Sequence, residues 1–225
     1  MEEFDWKNNI TNKEEKEKLA KRIAARVKDN DIIGFGSGTT SYLAIEEIAD
    51  RIKKENLHIK AIPTSKIVAN LCDELDIETT TLEKDKPDWC FDGADEIDEH
   101  NWLIKGMGAA LYKEKLNMKA SNENYILVDS SKFVKRLGEK FPVPVECDPY
   151  FAEHVIEKLK SIGATKTEIR RSNIDYDKPL ITDNGKIIIL AWFDKIEADY
   201  EEKIRNIDGV LESGLFIGYD IIVIQ

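Results

Sequence analysis

The sequence predicts an α/β protein: a parallel sheet flanked by helices, with a smaller α+β unit built into the chain. Three observations predict it. Down to about Lys132, apolar strands alternate with amphipathic helices. Several apolar segments run straight into glycine-rich or acidic turns, as in GFGSGTT (Gly34–Thr40) and DGADE (Asp92–Glu96). After Lys132 the order becomes β-α-β-β-α-β, which describes a small α+β unit of the ferredoxin-like kind.

Residues 13 to 28 (KEEKEKLAKRIAARVK) set apolar side chains at helical spacing among charges. DIIGFGSGTT then reads as a strand, a Gly-rich turn and a Thr N-cap, and SYLAIEEIADRIKK as a second helix. HIKAIPTS is a strand and turn, and KIVANLCDEL a helix. WCFD ends as a strand in DGADE, NWLIKG leads into a Gly-Met-Gly turn that opens a helix, and YILV leads into DSSK. FPVPVEC carries two prolines, which suits an edge strand or linker. PYFAEHVIEKLKSIG is a helix ended by Gly163, and TKTEIRRS an alternating strand. PLITDNGKIIILAWF is a hairpin strand entered through an Asp-Asn-Gly turn, followed by the helix KIEADYEEKIRNI and the strand GVLESG. The closing LFIGYDIIVIQ is apolar enough for a buried strand that returns to the first sheet. The expected domains are residues 1–133 with 208–225, carrying the parallel sheet, and residues 134–207, the small α+β unit.

A length of 225 residues suits one large domain or two small ones. No apolar run reaches the length of a bilayer span and the N-terminal MEEFDWKNN is polar, which argues against a signal peptide or membrane anchor. A net charge of −11 disfavours a nucleic-acid partner. An anionic substrate must therefore find local positive charge within a repulsive field. Cys72, Cys90 and Cys147 are far apart and odd in number, as expected of reduced cytoplasmic thiols, and Cys90 and Cys147, with no base beside them in sequence, read as buried small hydrophobes. His58, His100 and His154 are isolated, without metal-ligand spacing, and read as surface histidines.

Four segments carry candidate chemistry. In GFGSGTT, Ser37, Gly38, Thr39 and Thr40 offer backbone N–H groups, hydroxyls and a helix N-terminus to an anion. The third glycine comes one residue too early for a dinucleotide fingerprint, and there is no Gly-Lys-Ser/Thr of a P-loop. Taken alone, the segment reads equally well as a tight strand-to-helix turn. In DGADE, Asp92 and Asp95 stand at a strand end, where open α/β sheets bind ligands, while Glu96 to Glu99 read as a solvated acidic face. In KGMGAALYKE, Lys105 precedes a turn able to present N–H groups. Glu114 shares a helix face with Leu111, Ala110 and Met107, and small Ala110 leaves its carboxylate room to look back toward the turn. Lys113 and Lys115 point elsewhere and read as solvated; out of context Glu114 would be an ordinary surface glutamate. In DSSK, Lys132 stands at a further strand end, with a capping serine and a surface lysine as the simple alternative.

Taken together these segments resemble ribose-5-phosphate isomerase, type A. The resemblance rests on GFGSGTTSYLAI, IPTS, FDGADEID, KGMGAALYKEK, VDSSKFVKRLG, FPVPVE, TDNGK and GVLESGLF in family order, from about Lys13 to Gly218. Met107 stands where a glycine is more usual in the family, and SGTT where TGST is common. The resemblance implies a Rossmann-like domain with the smaller α+β domain inserted in it. It implies interconversion of ribose 5-phosphate and ribulose 5-phosphate through an enediolate, with neither metal nor organic cofactor, in a cytoplasmic homodimer or homotetramer. By similarity Glu114 is the proton-transferring base, with Asp92, Asp95 and Lys105 in the catalytic group. Substrate is held by Ser37 to Thr40, by Asp92, Gly93, Ala94 and Asp95, by Lys105, Gly106, Met107 and Gly108, and by Lys132. The competing reading is a sugar-phosphate sensor of the same fold without catalysis. Such a sensor is expected to carry a basic DNA-binding module, for which the acidic chain has no room before Lys13, and to dispense with Glu114. A nucleotide-binding dehydrogenase is excluded by the loop spacing.

Overall fold

The computed structural model describes residues 4–225. In chain order the elements are α1 Lys13–Ala24, β1 Ile32–Phe35, α2 Thr39–Glu55, β2 Lys60–Pro63, α3 Lys66–Glu74, β3 Trp89–Gly93, β4 Glu96–Ile97, β5 Leu103–Ile104 and α4 Leu111–Ala120. They continue with β6 Glu123–Leu127, a 3₁₀ turn at Ser130–Lys132, β7 Val143–Cys147, α5 Ala152–Ser161, β8 Ala164–Ile169 and β9 Ile187–Phe193. The last are α6 Tyr200–Arg205, β10 Val210–Ser213, β11 Leu215–Phe216 and β12 Ile222–Ile224. The chain divides into two compact units. One comprises Asp5–Gly93, Lys113–Ser131 and Asp220–Gln225; the other comprises Ala94–Tyr112 and Lys132–Tyr219, with Phe4.

The first unit is built on five parallel strands in the order β2-β1-β3-β6-β12. Counted among themselves they run 2-1-3-4-5, a doubly wound order in which the chain reverses its progress across the sheet between β1 and β3. Strands covered on both faces must be apolar throughout, and Ile33, Phe35, Ala61, Phe91 and Ile126 are accordingly buried. The first helix stops at Ala24 rather than running to residue 28. The Arg51 guanidinium donates to the carbonyl of Ala24 (2.6 Å), the last residue of α1, and to that of Val27 (2.9 Å), three residues beyond it. The N-cap of α2 is Gly38, at φ 120°, rather than a threonine.

The second unit carries an antiparallel sheet in the order β10-β7-β9-β8, with α5 and α6 as its crossover helices. That is the 4-1-3-2 arrangement of a ferredoxin-like fold, as the sequence predicts. Its core includes Val143, Val145, Val155, Leu159, Ile187, Ile189 and Ile204. A three-stranded sheet, β11-β5-β4, belongs to the same unit. Residues 134–207 lie wholly within this unit, which also takes in 94–112 and 208–219.

Two expectations are corrected here. FPVPVEC is neither edge nor linker: β7 is an inner strand, paired with β10 and β9. Pro144 is tolerated because its missing N–H points toward Gly214, past the last paired residue of β10, while its carbonyl accepts the Gly214 N–H at 2.7 Å. The closing apolar stretch makes two strands rather than one. Leu215–Phe216 pairs with β5, and only Ile222–Ile224 returns to the parallel sheet, alongside β6.

Candidate active site

In the first unit, the reversal between β1 and β3 leaves a crevice beyond their carboxyl ends, where such sheets bind ligands. β1 delivers Gly36, Ser37 and Gly38 there, and β3 delivers Asp92, which is only 3% exposed. Asp92 Oδ1 accepts hydrogen bonds from Ser37 N–H (3.1 Å), Gly93 N–H (2.8 Å) and the Ser41 hydroxyl (3.2 Å). A side chain at Gly36 would place its Cβ 2.2 Å from that oxygen, so glycine is required for the loop to wrap the carboxylate. The Ser37 hydroxyl meets Thr64 (2.8 Å) and Ser65 (3.0 Å) of the IPTS segment, and Thr64 donates in turn to the Phe35 carbonyl. Thr40 is buried and Thr39 half-buried in the first turn of α2.

One cation of this cluster has no signal in the loop sequence. Lys16 of α1 is 3% exposed, and its ammonium donates to the Thr39 hydroxyl at 3.0 Å and the Thr11 hydroxyl at 3.3 Å. It lies 3.9 Å from Asp129 Oδ2. Burial pushes the Asp129 carboxyl up, but bonds from Ser131 and Asn12, with the Lys16 charge, outweigh it and leave the pKa lowered. In sequence Lys16 is one more charge of a polar helix face; only its contacts with Thr11 and Thr39 mark it out.

Glu114 is 3% exposed in the first turn of α4 and is not a surface glutamate. A carboxylate is favoured at that end of a helix by the macrodipole. Lys115 is fully buried, correcting its reading as solvated, while Lys113 is half-buried. Asn117 is buried as well and donates to the Ile62 carbonyl at 2.9 Å. The buried positions of α4 thus mix Glu114, Lys115 and Asn117 with Leu111 and Met118, which is why apolar periodicity could not single them out.

In the second unit, Asp95, Lys105, Met107 and Lys132 form a second cluster. Lys105 is 3% exposed, with its ammonium 5.5 Å from the centre of the Phe216 ring. Its N–H donates to the Gly214 carbonyl at 2.9 Å. A Cβ at Gly214 would come within 2.3 Å of the Lys105 carbonyl, so this close passage also demands glycine. Met107 N–H donates to Asp95 Oδ2 at 3.0 Å. Gly106 is buried at φ 113°, and Gly108 is half-buried. Burial pushes the Asp95 carboxyl up; the Met107 N–H and the charges of Lys132, Lys105 and Arg170 pull it back without cancelling the rise. Lys132 is half-buried, its ammonium 5.4 Å from the Phe141 ring. Arg170 is a member of this cluster that the sequence reading missed, because it sits in an ordinary alternating strand pattern.

The acidic face expected at Glu96 to Glu99 is mostly internal. Glu96 is fully buried and accepts from the N–H groups of Gly138 (2.6 Å) and Phe141 (2.7 Å), with Lys140 N–H as a third donor. Asp98 is buried and accepts from His100 and Trp102 N–H groups. Only Glu99 is exposed. The three cysteines are buried, and burial pushes the Cys72 and Cys147 thiols up to about 12. His58 and His100 are exposed and His154 half-buried. Among the described residues no group of three or more His, Cys, Asp or Glu is arranged to hold a metal. Among them, too, no helix is long and apolar enough to cross a membrane.

Residues 60–225 match a family model described as ribose 5-phosphate isomerase A (phosphoriboisomerase A). The ribose-5-phosphate isomerase A of Methanocaldococcus jannaschii is 40% identical over 217 residues, 96% of this chain and 95% of the relative. That of a Synechococcus species is 41% identical over 207 residues, covering 90% and 88%. The solved structure of the Methanocaldococcus jannaschii protein superposes with a TM-score of 0.90 over 95% of each chain. A D-ribose-5-phosphate isomerase solved in complex with phospho-erythronic acid has a TM-score of 0.90 at 36% identity, again over 95% of each chain.

Proposed function

The chain belongs to the ribose 5-phosphate isomerase A family, and from this we infer that it interconverts D-ribose 5-phosphate and D-ribulose 5-phosphate. The reading of a non-catalytic sensor finds no support among relatives that match along nearly the whole chain and are named as isomerases. The observation that carries the reading is the set assembled at the β1/β3 reversal. A helix N-terminus, hydroxyls and the buried Lys16 ammonium suit a phosphate, and a buried carboxylate, Asp92, suits sugar hydroxyls.

The chemistry then divides among the residues. Asp92 and Asp95 hold hydroxyls and assist opening of the furanose ring. Glu114 takes the proton from C2; the C–H electron pair becomes the C1–C2 double bond and the carbonyl oxygen becomes an enediolate oxygen. The same carboxyl returns the proton to C1, and the hydroxyl proton on O2 passes to O1. What supports Glu114 in this role is its burial, which keeps water from competing for the proton. Met107 N–H is already committed to Asp95, so the charge that develops on oxygen falls to Lys105, whose ammonium is buried. Lys132 grips the substrate through its charge, and the Ser37–Thr40 loop with Lys16 takes the phosphate. Acid–base groups and lysines suffice for each step, so the reaction calls on neither metal nor organic cofactor.

The enzyme serves the non-oxidative pentose phosphate pathway in the cytoplasm, as a homodimer or homotetramer. Residues 134–207 act as a small domain that supports assembly and supplies no group that touches substrate. That role is supported by large apolar side chains it leaves in water: Tyr150 at 89% exposure, Tyr176 at 74% and Ile181 at 56%. The test is direct. Purified protein given ribose 5-phosphate should form the ketose, and phospho-erythronic acid should compete; absence of ketose formation would remove the functional reading.

A further inference from the structure

Arg170 lies just after β8 in the second unit, outside every short motif on which the resemblance in sequence rests. Its guanidinium Nη1 donates to the carbonyl of Gly106 at 3.3 Å. The N–H at the other end of that same peptide, belonging to Met107, donates to Asp95 Oδ2 at 3.0 Å. A single peptide of the Lys105–Gly108 turn is therefore held between a cation and an anion that come from two other segments. The turn cannot hold itself this way. Gly106 sits at φ 113°, and a glycine there confers no preference for one orientation of its peptide over another. The Ala109 N–H also reaches the Gly106 carbonyl, at 3.0 Å, but it belongs to the turn itself.

We propose that Arg170 is a positioning residue for the isomerisation: it orients the Lys105–Gly108 turn through the Gly106 carbonyl and supplies positive charge to Asp95 across the Gly106–Met107 peptide. The proposal rests on the isomerase reading of this cluster. The cations acting on Asp95 are Lys132 from the 3₁₀ turn, Lys105 after β5 and Arg170 after β8, and its neutral donor is the Met107 N–H. The two lysines are assigned to substrate. Arg170 is the cation whose charge stays with the protein throughout the reaction, bound to a backbone carbonyl and 5.4 Å from the Phe4 ring. A planar guanidinium suits the task, since it can hold a carbonyl in plane while keeping its charge at every working pH. The backbone of Arg170 is bonded independently, its N–H to the Ile188 carbonyl and its carbonyl to the Leu180 N–H, so a change of side chain leaves the strand end paired.

The test measures kcat and KM for ribose 5-phosphate across a pH series in the parent, Arg170→Met and Arg170→Lys proteins, with thermal melting to confirm folding. In Arg170→Met, kcat should fall about tenfold, the scale of one lost charge-assisted hydrogen bond. The acid limb of kcat/KM should also move to higher pH, because Asp95 with one cation fewer keeps its proton longer. Arg170→Lys should restore the acid limb without restoring kcat, since it returns the charge but not the planar fork. Two results would overturn the proposal: a folded Met variant with the parent's kcat and acid limb, or equal losses of kcat in both variants with neither limb displaced. If the Met variant does not fold, the Lys variant decides, with a lowered kcat supporting the proposal and the parent's kcat removing it. An inactive parent removes the functional reading and this proposal with it; an active parent with indifferent variants removes the proposal alone.

Discussion

The parallel sheet and the four-stranded antiparallel sheet bury acids in opposite places. In the parallel sheet they stand at strand ends: Asp92 lies next to the last residue of β3 and Asp129 follows β6, while the strand interiors are apolar. In the antiparallel unit Glu146 and Glu212 lie within β7 and β10, in register with each other, at 0% and 4% exposure. The difference separates acids that border a candidate site from acids enclosed within a sheet. A strand-end acid borders the crevice that the doubly wound order opens, so substrate hydroxyls can replace its neighbours. A mid-strand acid is walled in. Glu146 Oε1 is taken by the Thr182 hydroxyl (2.6 Å) and the Asn184 amide (2.9 Å), and burial, with the nearby charges of Glu212 and Asp183, pushes its carboxyl up.

The largest expected effect tests whether the base is the buried carboxylate on α4 of the parallel-sheet unit. Glu114→Gln keeps size but loses the basic oxygen, so kcat should fall by about 10²–10⁴-fold while KM changes little. Exchange of the substrate's C2 proton with solvent deuterium should stop as well. Activity within a few-fold of the parent would hand the role of base to Asp92 or Asp95.

Next in size is Glu96→Ala in the antiparallel unit, which strands the N–H groups of Gly138, Lys140 and Phe141 without their acceptor. Unfolding free energy should drop by about 3 kcal/mol, with kcat per folded molecule unchanged. A stable but inactive variant would break the division, because it would make a walled-in acid part of the chemistry.

Lys132→Ala should raise KM about tenfold with little change in kcat, and salt should weaken substrate binding to the parent. An unmoved KM would return Lys132 to the simple surface role.

The smallest effect sharpens the comparison through pH. Because the folded-state pKa of Glu146 is raised, its stabilising contribution is fully present below the ordinary carboxylate pKa and is lost as pH rises through the folded value. Glu146→Gln mimics the protonated form, so its melting temperature should match the parent's in acid and exceed it slightly in mild alkali. A variant less stable than the parent in alkali would mean the ionised carboxylate is needed.

Much of the candidate site was legible because it is written in short runs. Asp92, Asp95, Lys105 and Glu114 each stand within a few residues of a strand end or a glycine turn, and local spacing could place them. The rest had no local signature. Lys16 reaches Thr39 across 23 residues, and Arg170 reaches Gly106 across 64. Glu96 and Lys115 looked solvated because acids and lysines usually are; their burial depends on what the remote chain folds against them.

The sequence by itself determined the strands, the helices, the glycine turns and the order of the motifs, because periodicity and turn chemistry act between near neighbours. Tertiary structure alone decided that β7 is an inner strand, with Pro144 facing Gly214 where its missing donor does no harm. It alone split the final apolar stretch between two sheets. It alone brought Lys16 to Thr39 and Arg170 to the Gly106–Met107 peptide. The physical reason is common to all of these. Strand neighbours, burial and the field at a charge are set by residues far away in the chain, and no window of sequence contains them.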